Sequence, residues 1–182
     1  MNVSLPPIAA APRASTWFAW HAHRIAPGMR VLDLAGGEGR HAVAAAELGA
    51  EVLLVDRDEA ALAAATALAE ARKVKIVTRA LDLEGAWPDL GVFDAVLVFN
   101  YLDRSRVGDV TARVGPRGLL LMETFLDSQL SFGWGPTSEQ HLLRPGEIAR
   151  LVAPLTVLHG REVLEPVDAN RWRAVAAVLA SR

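Results

Sequence analysis

The chain has 182 residues, no cysteine, 52% hydrophobic and 22% charged residues, and a formal net charge of −2. This length predicts a single domain, and the lack of cysteine excludes disulfides, thiolate catalysis and cysteine-based metal sites. The small net charge and the absence of a Lys/Arg run argue against nucleic acid as a partner. No segment is apolar over a length that would span a bilayer, so no membrane partner is expected.

Residues 1–14, which read MNVSLPPIAAAPRA, are predicted to form a flexible tail. The tail has an Ala-rich patch, but no basic stretch precedes it, and Pro6 and Pro7 interrupt it, which disfavours a signal peptide. A cytoplasmic location is therefore expected, with residues 15–182 as one domain. The segment STWFAWHAHRI is then predicted to be a helix capped by Ser15 or Thr16.

Strands and helices alternate in the next part of the chain. The predicted strands are Arg30–Leu34, Glu51–Val55, Val74–Thr78, Phe93–Phe99 and Gly118–Thr124. The predicted helices are Arg40–Leu48, a helix from the cap Asp58 to about Arg72, and Asp103–Val114, which Gly115-Pro116 interrupts late. The strands at 93–99 and 118–124 are almost entirely apolar, which is typical of strands covered on both faces.

The pattern changes after Asp127. The segment Asp127–Leu143 contains glycine, proline and aromatic residues and is predicted to be a long loop, followed by a helix with Pro145 at its first position. Leu155–Glu165 and Arg171–Leu179 are predicted strands, and the linker between them is too short for a crossover helix, so they must be antiparallel. The chain thus predicts a mostly parallel α/β sheet with helices on both faces and a reversed strand at one edge.

The densest functional signal is VLDLAGGEGRH, from Val31 to His41, together with Asp56 at the end of the next strand. A strand, a glycine turn and a helix N-terminus, followed by a strand-end acid, make a site for a nucleoside. Gly37-x-Gly39-x-x-Ala42 also fits the dinucleotide fingerprint, which leaves an NAD(P)-dependent oxidoreductase as an alternative. The acid at Asp33, the lack of room for a second substrate domain and the antiparallel ending oppose it.

The segment Asp33–Gly39, DLAGGEG, resembles the first motif of class I S-adenosylmethionine-dependent methyltransferases. VFNYLDR (98–104), LMETF (121–125) and LLRPGEI (142–148) resemble a small-molecule branch of that family, often named after tellurite resistance. The resemblance implies a Rossmann-like seven-stranded sheet of order 3-2-1-4-5-7-6 with strand 7 antiparallel. It implies S-adenosylmethionine as cofactor and in-line methyl transfer to a small-molecule acceptor. This branch commonly has cysteine where Gly37 stands, but glycine keeps the close backbone approach.

The resemblance also implies roles for individual residues. Asp33 and the amides of Ala35, Gly36 and Gly37 would meet the methionyl part, and Asp56 the ribose hydroxyls. Asp82 and the Leu83 amide would meet adenine, and Phe99, Asn100 and Tyr101 the sulfonium. The expected cofactor-binding residues are Asp33, Ala35, Gly36, Gly37, Gly39, His41, Asp56, Arg57, Asp82, Leu83, Phe99 and Asn100.

The acceptor is expected between the N-terminal helix and the loop from Phe132 to His141. The candidate pocket residues are Tyr101, Arg104, Trp134, His141, Trp17 and Trp20. No catalytic residue is assigned, because alignment and desolvation can suffice and a general base is needed only for a protonated acceptor. No metal is expected, since His21 and His23 would point to different helix faces. A non-catalytic S-adenosylmethionine-binding protein remains a second alternative, and the oligomeric state is not predicted.

Overall fold

A computed structural model describes residues 13–182, so the predicted tail at 1–14 lies almost wholly outside the described residues. The seven strands are β1 (Arg30–Leu34), β2 (Glu51–Asp56), β3 (Ile76–Ala80), β4 (Phe93–Phe99), β5 (Val114–Phe125), β6 (Thr156–Pro166) and β7 (Trp172–Ser181). The α-helices are α1 (Thr16–His21), α2 (Arg40–Glu47), α3 (Glu59–Ala71), α4 (Val107–Ala112) and α5 (Glu147–Leu151). None of the helices in residues 13–182 is long and apolar enough to cross a membrane.

The strands form one sheet of order β3-β2-β1-β4-β5-β7-β6, which confirms the predicted fold. The first five strands are parallel, and β7 inserts antiparallel between β5 and β6, with Leu121 opposite Leu179. Because the five parallel strands point the same way, their carboxyl ends meet at one edge. That edge is where ligands bind in open α/β sheets.

Two apolar layers cover the two faces of the sheet. One contains Leu32, Val96, Met122 and the even-numbered residues of β7, and the other contains Val31, Leu97, Leu121 and Leu179 with Trp17 of α1. Consecutive residues of the central strands therefore point into opposite layers, which explains why these strands lack the alternation of a half-exposed strand. The N-terminal helix begins where predicted, since the Ser15 hydroxyl accepts a hydrogen bond from the Phe18 amide.

Several boundaries differ from the predictions. β3 begins two residues later than expected, and β5 begins at Val114, within the segment predicted as helix. The break between Phe93 and Ala95 in the β4–β5 pairing allows Gly115-Pro116 to lie in a strand instead of ending a helix. Pro145 is not the first residue of α5 as predicted, because the left-handed Gly146 is the N-cap and the helix begins at Glu147. The segment predicted as a structureless loop contains two short 3-10 helices, Asp127–Phe132 and Glu139–His141.

Candidate cofactor and acceptor site

The turn after β1 is built from residues in the left-handed backbone region. Ala35, Gly37 and Gly39 have φ of 53°, 53° and 77°. A Cβ at Gly36 would lie 2.8 Å from the Asp33 carboxylate oxygen Oδ2 and 2.8 Å from Leu54 Cγ. At Gly37 no atom lies within 4 Å of the same position, so that backbone faces open space. The glycine turn thus packs tightly on the sheet side and leaves room on the other side for a ligand to approach the main chain.

Asp33 is a buried acid without a complete set of partners. Its side chain is 1% exposed, and its Oδ2 has no hydrogen-bond partner among the described residues. Burial raises the pKa of Asp33 to about 7, while the Ala42 amide and the nearby Arg40 act in the opposite direction. A buried, unsatisfied carboxylate is costly for a fold, which points to a partner supplied from outside the chain.

Asp56 is fixed by two backbone amides. Its Oδ2 accepts a hydrogen bond from Gly37 N at 2.8 Å, and its Oδ1 accepts one from Asp58 N at 3.0 Å. The first bond joins the end of β2 to the glycine turn after β1. Each carboxylate oxygen can accept more than one hydrogen bond, so the half-buried Asp56 can still receive two hydroxyl groups.

Two cavities lie along the carboxyl ends of the strands. The first, of about 280 Å³, is lined by Asp56, Asp82 and several apolar side chains. The second, of about 350 Å³, is lined by the glycine turn, Arg40, His41 and Phe99. Both are also lined by Ala35 and Asn100, which therefore mark their junction. The structure thus provides an elongated groove with an acidic half and a glycine-rich half.

The predicted adenine-side residues line the first cavity. Asp82 is exposed, and its Oδ1 accepts a hydrogen bond from Glu84 N at 3.0 Å. Leu83 is buried in the wall beside it, and Arg57 pairs with Glu84 at 3.2 Å across the same region. Because both partners of this last ion pair are largely exposed, the pair contributes little to stability.

At the junction, Asn100 adopts φ of 59°. Its backbone N–H donates a hydrogen bond to the backbone carbonyl of Glu123 at 2.8 Å. Phe99 stacks on His41 with ring centroids 3.8 Å apart, and His41 Nε2 accepts a hydrogen bond from Ser15 N at 3.1 Å. Burial, with help from Arg40 and Arg173, lowers the pKa of His41 to about 2. A neutral His41 therefore supports Phe99 and ties α1 to the site.

Tyr101 lines the first cavity and carries a polar atom without a partner within residues 13–182. Its hydroxyl is buried and has no hydrogen-bond partner among the described residues. Burial, reinforced by Asp103, raises the pKa of Tyr101 to about 12, so the hydroxyl keeps its proton at neutral pH and can donate a hydrogen bond. Of the predicted acceptor residues, His141 also lines this cavity, and its Nδ1 lies 3.2 Å from the Leu102 carbonyl.

The structure gives Arg104 a different role from the predicted contact with an anionic acceptor. Its Nε lies 2.6 Å from Glu147 Oε1, and its Nη2 lies 2.9 Å from Glu147 Oε2. The same guanidinium donates to the carbonyls of Gln140 and Leu142 at 2.7 Å. Since these contacts use four of its five N–H donors, Arg104 anchors the 127–143 segment to α5 and has no pair of donors left for bidentate binding of a ligand.

The three predicted pocket tryptophans do not line either cavity. Trp17 is 0% exposed and packs beneath the sheet, so it cannot touch an acceptor. Trp20 is 53% exposed and lies over the Arg161 guanidinium at 4.8 Å. Trp134 packs edge-on against Phe125 and donates to the Trp172 carbonyl at 3.0 Å. The cavity wall from this region consists instead of Phe125, Pro136 and His141.

A buried ion cluster beside the junction was missed from the sequence. Glu123, with a fully buried side chain, contacts Arg161 Nη2 at 2.9 Å and Arg173 Nη2 at 3.1 Å. Glu165 pairs with the same two arginines. The sequence does contain an indication of this cluster, because Glu123 is the one acidic residue in the apolar strand GLLLMETF. Buried charges of this kind require partners, and the cluster fixes the carbonyl that holds Asn100.

Residues 31–114 match the sequence family described as "Methyltransferase domain". The chain is 31% identical over 118 residues to the protein-L-isoaspartate O-methyltransferase of Methylorubrum extorquens, which covers 65% of this chain and 47% of that protein. The chain therefore spans about half the length of this curated relative.

Solved structures show the same fold. TehB from Haemophilus influenzae superposes with a TM-score of 0.77 at 20% identity, covering 93% of this chain and 62% of TehB. The magnesium protoporphyrin IX methyltransferase ChlM from Synechocystis PCC 6803, solved with bound SAH, gives a TM-score of 0.71 at 17% identity, covering 90% and 78%. At these identities the likeness concerns the fold.

The reversed β7, the glycine turn with its strand-end acids and the match over residues 31–114 agree with the resemblance of the sequence to class I S-adenosylmethionine-dependent methyltransferases. A dinucleotide-binding sheet has the order 3-2-1-4-5-6, so the strand order argues against the nicotinamide alternative. S-adenosylmethionine is the cofactor of this class, and the groove fits it. Three features support this fit. Asp33 Oδ2 has no hydrogen-bond partner among the described residues, Gly36 beside it has no room for a Cβ, and Asp56 lies at the end of β2 next to the glycine turn.

Proposed function

We propose that the protein transfers the methyl group of S-adenosylmethionine in line to a small-molecule acceptor. The observation that supports this most strongly is the groove made by two cavities that meet at Ala35 and Asn100. Its acidic half suits the adenosine part of the cofactor, and its glycine-rich half suits the methionyl part. The residue between them, Asn100, is followed at once by Tyr101, whose unpartnered hydroxyl points to a second ligand.

The chain's own residues would act by holding and aligning. Asp56 would accept the two ribose hydroxyls, Asp82 and the Leu83 amide would contact the adenine edge, and Asp33 would face the ammonium. When bound, S-adenosylmethionine supplies a methyl group already activated by a positive sulfonium. The protein then needs to position the acceptor and exclude water, and a general base is required only for a protonated acceptor.

The acceptor would lie against Tyr101, Phe125, Pro136 and His141, the aromatic residues and the proline that line the first cavity. The cavity, of about 280 Å³, has room for a small molecule. Asn100-Tyr101 also lacks the two prolines of the motif used to methylate amino groups of bases. Thiols, amines, carboxylates and chalcogen oxyanions are the acceptor classes to be compared.

A screen of these acceptor classes tests the proposal, with release of S-adenosylhomocysteine as the readout. We expect release above the acceptor-free background with at least one class, and a lower kcat/KM in Tyr101→Phe, which removes only the unpartnered hydroxyl. Trp134→Phe is the matched control, because Trp134 lies outside both cavities. Tight cofactor binding with no release in any class would instead support the non-catalytic binding alternative.

A further inference from the structure

One arginine outside both cavities supports the loop that forms a wall of the first cavity. Residues 81–92 connect β3 to β4 without a helix or strand, and residues 81–84 line the first cavity. Arg106 lines neither cavity, but its Nη2 donates a hydrogen bond to the Glu84 carbonyl at 2.8 Å and another to the Gly85 carbonyl. Because a loop without regular structure depends on such contacts for its shape, Arg106 fixes this part of the wall from behind.

Arg106 is itself held in place. It is the last residue of the 3-10 helix Arg104–Arg106, and its backbone N–H donates to the Asp103 carbonyl at 3.0 Å. Its Nη1 donates to Asp109 Oδ2 on α4 at 3.0 Å, and its side chain is 25% exposed. A guanidinium that is mostly covered and that binds a carboxylate on one nitrogen and two carbonyls on the other is a rigid support.

The two residues that Arg106 holds are the ones that bind Asp82. Glu84 N donates to Asp82 Oδ1 at 3.0 Å, and Gly85 N donates to the Asp82 carbonyl at 3.3 Å. The guanidinium therefore acts on the carbonyls of Glu84 and Gly85, and their N–H groups act on the side chain and backbone of Asp82. The orientation of the Asp82 carboxylate in the cavity wall depends on this chain of contacts.

Leu83 has a support of the same kind, since the indole N–H of Trp87 donates to the Leu83 carbonyl at 2.8 Å. Asp82 and Leu83 thus present a carboxylate and a backbone N–H from a turn that is fixed on its far side. Adenine offers an amino group and a ring nitrogen lone pair, which such a pair can bind. Hypoxanthine offers a carbonyl oxygen and a ring N–H instead, so an acceptor would face an acceptor and a donor a donor.

We propose that Arg106 is a positioning residue that sets the base selectivity of the cofactor site by holding Asp82 and the Leu83 amide in place. The proposal rests on the proposed function, because it assumes that the adenine of the cofactor meets this turn. Discrimination between the two bases requires both groups at hydrogen-bond distance at once. Loss of the support lowers the selectivity, because the turn can then adapt to either base.

The test compares two ligands that differ only at the base edge. S-adenosylhomocysteine and S-inosylhomocysteine are titrated by calorimetry into wild type, Arg106→Gln and Arg106→Lys. Wild type should prefer the adenine ligand. Arg106→Gln should lower that preference about 2–10-fold, the usual effect of one hydrogen bond, by weakening the adenine ligand and leaving the hypoxanthine ligand unchanged. Arg106→Lys, which keeps the charge, should lower the preference less.

Arg113→Gln is the matched control. The Arg113 side chain is 24% exposed, and its Nη1 contacts Asp89 Oδ1 and the Gly91 carbonyl, both at 3.2 Å, at the far end of the same connection. This variant should keep the wild-type preference. Asp109→Asn removes only the carboxylate that orients Arg106, so it should lower the preference in the same direction and serves as the test if Arg106→Gln does not fold.

Thermal melting of each variant verifies that it folds. Equal weakening of both ligands in folded Arg106→Gln, an unchanged preference, or no preference in wild type would overturn the role of Arg106. In each of these cases wild type still binds S-adenosylhomocysteine, so the proposed function stands. Failure of folded wild type to bind S-adenosylhomocysteine at all would overturn both.

Discussion

Asp33 should make the stability of the ligand-free protein fall as pH rises. In the unfolded chain its carboxyl ionises near pH 4, whereas in the folded protein burial raises the pKa of Asp33 to about 7. Between these values the folded state holds a proton that the unfolded state has released. Linkage then requires the free energy of unfolding to decrease over this interval and to level off above it.

The size of the effect follows from the pKa difference. Each pKa unit corresponds to about 1.4 kcal/mol, so the change in the pKa of Asp33 from the ordinary carboxyl value of 3.8 to about 7 costs about 4 kcal/mol above pH 7. Asp33→Asn has nearly the same shape and does not titrate. We therefore expect the variant to gain stability relative to wild type as pH increases, from almost nothing at pH 4 to roughly 4 kcal/mol at pH 8.

Urea unfolding of both proteins at half-unit steps between pH 4 and 8.5 measures this difference. The two proteins share all other titrating groups, so the difference in their free energies of unfolding at each pH removes the contribution of those groups. Asp127→Asn, at an exposed position, is the matched control and should follow wild type at every pH. A difference between Asp33→Asn and wild type that stays constant across the range would refute the account of a buried, destabilised carboxyl.

Three further predictions concern the same groove. Asp56→Asn should weaken S-adenosylhomocysteine and 5′-methylthioadenosine alike, about 10–100-fold by calorimetry, because both carry the ribose; unchanged dissociation constants would remove Asp56 from the ribose site. Gly36→Ala should lower the melting temperature more than Gly37→Ala, since a Cβ at Gly36 collides at 2.8 Å with Asp33 and Leu54, whereas an alanine at Gly37 adds only the strain of a left-handed backbone; equal shifts would contradict this. His41 contributes stability that is present above pH 6.5 and lost as pH falls towards 2. His41→Phe should therefore lose less stability than wild type between pH 6.5 and 4 in urea unfolding, and parallel curves would argue against a buried neutral His41.

Local patterns predicted the strands, the antiparallel ending and the cofactor edge, whereas the sheet order was implied by the family resemblance. Apolar runs, glycine turns and strand-end acids are encoded within a few neighbouring residues, as at Val31–His41 and Asp56. The boundaries that failed depend on pairing between distant segments. β5 begins at Val114 because Phe93 pairs with it across the sheet, and no local signal announces that contact.

Side-chain partners on the acceptor side were hardest to predict. Arg104 follows Tyr101 by three residues, which suggested a pocket position, but Glu147 takes its guanidinium from 43 residues away. Trp17 and Trp134 were expected in the acceptor pocket because they are aromatic. Trp17 is instead buried in the core, and Trp134 packs against Phe125. Sequence shows which side chains have suitable chemistry, whereas tertiary packing decides which of them stay free.

Thermal melting with two competing cofactor types tests the central claim most directly. S-adenosylhomocysteine at about 100 times its dissociation constant should add about 2.7 kcal/mol of stability, which for a domain of this size raises the melting temperature by roughly 5–10 °C. NADH at the same concentration should leave it unchanged. A rise with NADH and none with S-adenosylhomocysteine would contradict the assignment of the groove to S-adenosylmethionine.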